Sequence, residues 1–230
     1  MNPAWWWRWT AVTTAGELAG FVVPATVGAA AATTARWPDG VTYPAVLAAG
    51  FVEGSLLGYA QASVWRSRLP GLGLRRYWTA TGAAAVLAYA VGMLPSTLGE
   101  RLTRLPTPVL VAAGLVAATM LLGSICTAQW LVLCRAGVDR PAWIAATAAA
   151  WAAGLAVLLL TAMPLWQPGQ AWWLITVIGV GCGALMAATV AALTGRAAVR
   201  LTVHLEAARD ISPVRDVTTG SAAGTRRGRS

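Results

Sequence analysis

Long apolar runs alternate with short polar interruptions along this chain, and that coarse alternation sets the expected architecture. Six stretches, 10–35, 41–65, 77–94, 109–133, 142–163 and 172–193, carry few charges. Each comes close to the roughly 20 residues a helix needs to cross a hydrocarbon core about 30 Å thick. Between them lie residues that do not belong in hydrocarbon. Arg36, Pro38, Asp39 and Gly40 follow the first run, and Arg66, Arg68, Pro70, Arg75 and Arg76 follow the second. Pro95 stops the third run ahead of a polar connection with Glu100, Arg101 and Arg104. The clearest unit is 129–147: Gln129-Trp130-Leu131-Val132-Leu133 closes one run, a loop with Arg135, Asp139 and Arg140 follows, and Trp143 opens the next. The pattern predicts an all-α, polytopic membrane helical bundle of six transmembrane helices over 1–195. A basic tail, 196–230, is expected to begin as helix and then, past Asp210, to become disordered through its Ser, Thr, Gly and Arg content.

Composition agrees. Hydrophobic residues make up 57% and charged residues 11%, against about 25% charged in soluble domains, and the mean hydropathy is +0.62. The net charge of +9 comes from arginine alone, for there is no lysine. With the N-terminus on the cytoplasmic side, fourteen of the seventeen arginines fall inside and only Arg36, Arg101 and Arg104 outside, as the positive-inside rule asks. The expected location is a bacterial inner (cytoplasmic) membrane, with both termini cytoplasmic and anionic lipids attracted to the basic face. Nucleic-acid binding is not needed to account for these arginines.

Trp5-Trp6-Trp7-Arg8-Trp9 looks like an interfacial anchor, with indoles at headgroup level beside a cation. The small residues before Arg36 mimic a signal-peptide cleavage site. A recurrence argues instead that the first run is retained: Trp9-Thr10-Ala11, Trp78-Thr79-Ala80 and Trp143-Ile144-Ala145 open runs one, three and five. Ala60-Gln61 before Arg66 and Ala128-Gln129 before Arg135 close runs two and four, while Thr194-Gly195-Arg196 closes the sixth without glutamine. Three helical hairpins about an axis along the membrane normal are the simplest account. The Gln129–Leu133 segment, with a basic residue after it and Trp143 beyond, resembles uncharacterised multi-pass bacterial membrane proteins carrying a repeated Gln-Trp-Leu-Val-Leu-Arg type motif. The resemblance covers mainly 50–96 and 114–160, with Cys134 standing where the first arginine of that motif is expected, and it implies no activity, substrate or site.

Candidate chemistry is sparse. Glycines at helical spacing, Gly16 and Gly20, then Gly50, Gly54 and Gly58, then Gly179 and Gly183, are expected to let helix backbones touch, within the monomer or against a second copy or a membrane partner. Glu17 and Glu53 are the only acids inside the runs, each beside a glycine of such a stripe and each near mid-membrane, where a carboxyl is costly and normally faces a bundle interior or an aqueous cavity. A proton or cation site is one expectation for them, and a purely structural hydrogen-bonded pair the other. Gln61 and Gln129 are expected to fix the cytoplasmic turns. Cys126, Cys134 and Cys182 form no CxxC pair and read as small buried residues. The sole histidine, His204, lies in the tail, and no Ser/His/Asp set, metal cluster or phosphate-binding glycine loop occurs. The expectation is therefore no enzyme and no cofactor. It leaves two functions: a small-solute or ion transporter or channel, proton-coupled through Glu17 and Glu53, or a non-catalytic membrane scaffold acting through its helix faces.

Overall fold

The structure, a computed structural model, describes residues 3–31, 37–167 and 169–220. The cleavage-like segment before Arg36, Arg36 itself and the last ten residues of the tail lie outside these. Every element is helical: α1 (Pro3–Ala29), α2 (Asp39–Trp65), α3 (Leu74–Gly92), the short α4 (Leu94–Leu98) and α5 (Glu100–Thr103), α6 (Thr107–Arg135), α7 (Ala142–Leu165) and α8 (Trp172–Gly220). Six of them are long and apolar enough to span a membrane, so the chain is a six-span helical bundle.

Each long helix packs on its sequence neighbour and α8 closes onto α1, giving a ring α1-α2-α3-α6-α7-α8 around a common interior. The distribution of side chains is that of a membrane protein. Many buried positions are small (Ala49, Ala62, Ala85, Ala187 and Ala191), whereas large apolar residues such as Leu115, Val116, Leu160 and Val177 point outward. In water that arrangement would be unstable, but lipid gives helices no hydrophobic reason to associate and rewards close backbone approach. The α2–α3 contact is the most extensive and the α6–α7 contact the thinnest.

One end of the ring is sealed by aromatics. Trp9, Trp65 and Tyr77 are fully buried and Trp143 nearly so, joined by Trp5, Leu69, Leu72, Leu133 and Val138. Trp9 lies 5.2 Å from Trp65 and Trp65 5.7 Å from Trp143, ring centre to ring centre, both edge-on, the geometry that sets a ring's positive edge against a negative face. Trp5 and Trp9 are thus core residues and not headgroup anchors. Their N–H groups find partners inside the protein: Trp5 donates to the Ser67 hydroxyl and Trp9 to the Thr194 hydroxyl, while Trp6 donates to the Ala192 carbonyl.

The loop after α6 shows how locally the sequence writes this end. Gly137 takes φ +85°, a backbone that a Cβ resists. Its N–H then reaches the Cys134 carbonyl while that of Val138 reaches the Leu133 carbonyl. This is a Schellman ending, and its usual apolar clasp is made by Leu133 and Val138, both buried in the aromatic cluster. Helix α8 continues without a break across Gly195-Arg196, and Ala198, Val199, Leu201 and Thr202 beyond it are buried. The packed body therefore extends past residue 195.

The candidate functional site

Directly inside the aromatic seal lies a buried polar layer. Thr13, Thr81 and Thr147 each stand four residues after a buried aromatic, Trp9, Tyr77 and Trp143. In the third helix the buried aromatic is Tyr77 rather than the expected Trp78, a shift of one position. Gln61, Gln129 and Thr194 complete the layer. Neither glutamine fixes a turn. The Gln129 amide donates to Gln61 Oε1 at 2.8 Å and reaches the Thr81 hydroxyl at 3.4 Å, and the Tyr77 hydroxyl approaches Gln61 Oε1 at 3.5 Å. Helices α2 and α6 are not neighbours in the ring, so this amide pair ties them across the interior.

Beyond the layer the interior opens into a cavity of about 380 Å³. It begins at Leu57 and Ile125, one turn past the glutamines, and extends to Val46, Met93 and Leu158, with residues from all six long helices on its wall. Glu17 and Glu53 both line it, and both are buried, at 2% and 9% exposure. Among the described residues the only other hydroxyl or ionisable side chain lining it belongs to Tyr89.

Glycines set the geometry of this group. A Cβ on Gly20 would lie 2.9 Å from Glu53 Cα and 3.1 Å from its Cγ, closer than real contacts allow. Gly20 thus lets α2 bring Glu53 against α1, one turn from Glu17. On the other side of α2, the Tyr89 ring occupies the space a side chain at Gly50 would need. From that slot its hydroxyl reaches one turn along α2 and donates to Glu53 Oε2. Gly54 and Gly58 face Ala85, Gly82 and Thr81 of α3, and Gly16 faces Ala60. Gly183 meets the Phe21 ring, but Gly179 has open space around it and makes no close approach.

The two acids differ in their surroundings. Glu53 has Tyr89, whereas among the described residues neither oxygen of Glu17 has a hydrogen-bond partner. A buried polar group without a partner costs roughly 1–3 kcal/mol. Such groups call for an explanation, and Thr13, Trp65 and Trp143 also bury a polar atom with no partner among the described residues.

Tyr89 escaped the sequence reading, although a tyrosine within a span was a usable signal, since its hydroxyl needs a partner. Trp151, whose indole N–H carries a similar signal, lines the same cavity. Cys126 and Cys182 are buried as expected, and Cys134 is half-buried with its thiol 3.6 Å from Asp139 Oδ1. Among the described residues no group of His, Cys, Asp or Glu could hold a metal ion. No protein family, curated protein or solved structure matches this chain.

Proposed function

We propose that the protein is a transporter for a small solute, coupled to protons through Glu17 and Glu53. The observation that carries this is the placement of both acids on one internal cavity, sealed at its basic end by the amide layer and the aromatic cluster. A carboxyl deep in a membrane protein is expensive to keep and typically marks an ion or proton pathway. Glu17, which has no hydrogen-bond partner among the described residues, contributes nothing evident to holding the helices together.

The hairpin repeat belongs to this proposal. It is supported by the matching buried positions Trp9, Tyr77 and Trp143, Thr13, Thr81 and Thr147, and Gln61, Gln129 and Thr194. In that register Ala85 and Trp151 correspond to Glu17, and Leu121 and Met186 to Glu53, and all of them line the cavity. The acids would then be additions to one hairpin of a repeated scaffold. The orientation proposed places the arginine-rich, aromatic-sealed end in the cytoplasm of a bacterial cell.

The alternative is a scaffold or accessory subunit. It is favoured by the first half of α6, where every residue from 107 to 120 except Leu110 and Ala117 is exposed, on the side toward the bundle as well as the side toward lipid. Thermal stability in detergent separates the two. A group retained for function commonly reduces stability, so Glu17→Leu should melt at or above the wild-type temperature. A Glu17→Leu protein melting well below wild type would make that acid structural glue and turn the case toward the scaffold.

A further inference from the structure

Resting on the transport reading, we propose that the cavity takes a lipophilic organic monocation, its charged head at Glu17 and its apolar body against the facing wall. Ligand chemistry narrows the choice. A bare metal ion needs about six oxygen ligands, or more, to replace its water. Among the described residues the cavity supplies two carboxyls and one phenol, the backbone carbonyls of its helical walls being committed within helices. A sugar or other polyol would leave most of its hydroxyls unpaired against Leu, Ile, Met and Trp, at a cost for each. An anion would meet two acids and no arginine, since among the described residues no cationic side chain lines the cavity.

What remains is a single positive charge carried on apolar surface, and the wall suits it. Phe21, Tyr89 and Trp151 place aromatic rings around the same space as the acids, and a desolvated cation is attracted to an aromatic face. The volume suits it too. At about 380 Å³ the cavity falls in the lower part of the range of small-molecule sites, about 300–1,000 Å³. The α6–α7 contact is the thinnest in the ring, and both helices put leucines on the cavity wall, Leu121 and Leu122 from α6 and Leu155 and Leu158 from α7. That seam offers a lipid-soluble molecule a route in from the bilayer.

Proton coupling follows from occupancy. When the cation enters beside a protonated Glu17, the carboxyl proton leaves to solvent and a carboxylate–cation pair forms, one proton out for one cation in. The other titratable groups facing Glu17 across the cavity are Glu53 on α2 and Tyr89 on α3, already bonded to each other. The remaining helices present Leu121, Leu122, Ile125, Trp151 and Met186.

The test compares phenyltrimethylammonium with its neutral isostere tert-butylbenzene, binding to the full chain in nanodiscs by calorimetry in buffers of different ionisation enthalpy. The cation should bind about tenfold or more tighter than the isostere, release close to one proton per molecule bound, and lose about tenfold in affinity in Glu17→Gln. Equal affinity of the isostere would overturn the proposal in favour of an acyl-chain pocket, and unchanged proton release in Glu17→Gln would remove Glu17 as its site. Both outcomes are read separately from the melting of Glu17→Leu, which tests the transport reading itself. Because the cation–isostere comparison uses wild-type protein, it decides even if the variant fails to fold. No binding of the cation at all, with Glu17→Leu as stable as wild type, would leave transport standing and exclude this substrate class.

Discussion

The Tyr89–Glu53 bond is the one place where a side chain of α3 enters the acid group, and it makes the two carboxyls unequal. Removing its donor leaves a buried acceptor with one bond fewer, so Tyr89→Phe should lower stability by about 1–2 kcal/mol, measured by thermal or denaturant unfolding in detergent. Glu53→Leu should also destabilise, because it orphans the Tyr89 hydroxyl. The double variant should lose less than the sum of the two, as contacting partners in a cycle do. An additive result would deny that the two side chains meet. The same arithmetic governs the polar layer. Gln61→Leu strands the Gln129 amide and should cost about 1–3 kcal/mol, with part of that loss recovered when Gln129→Leu is added.

Between elements, glycine decides which helices touch. On α2 the stripe Gly50, Gly54 and Gly58 is answered by Gly82 and Thr81 of α3, which accounts for the most extensive contact in the ring. Gly54→Leu should therefore overpack that interface and cost about 1–3 kcal/mol. Gly20→Ala, which leaves both carboxyls in place, should push α2 from α1 and destabilise by a similar amount. Gly179→Ala is the internal control. With no neighbour at that site, alanine should be neutral or stabilising by up to about 1 kcal/mol through helix propensity. Unfolding midpoints of the three variants in one detergent would show whether spacing alone, or spacing plus a facing helix, makes a packing stripe. Gly16, Gly20, Gly179 and Gly183 look alike as text, and only the position of the neighbouring helix separates them.

For the whole molecule, the ring has one sealed, arginine-rich end and one end reached through the cavity, so its direction across the membrane determines which side the acids serve. If the basic end is cytoplasmic, Ser96→Cys, at an exposed position in α4, should add labelling by a membrane-impermeant maleimide applied outside intact cells. Cys134, half-buried at the opposite end, should react only after permeabilisation. The reverse labelling would invert the molecule and with it the proposed direction of proton movement.

The six spans were legible in the chain, the second to fifth with boundaries to within three residues, as was the placing of Glu17 and Glu53 inside spans; the first helix begins seven residues before its apolar run and the last continues to Gly220. Hydrocarbon imposes a length and a polarity on each segment independently of its neighbours. The Schellman ending at Gly137 is just as local, written by a glycine and two clasping apolar residues. Tertiary structure alone could decide that Trp5 and Trp9 form a buried seal, because an indole suits a membrane interface and a satisfied core equally well until Ser67 and Thr194 are brought to its N–H. It also decided that Gln61 and Gln129 bind each other, that Tyr77 and not Trp78 faces inward, and that Tyr89 finds Glu53. Those outcomes depend on the rotation of each helix about its own axis. In a helix apolar all round no amphipathic stripe records that rotation, and only packing against the rest of the ring fixes it.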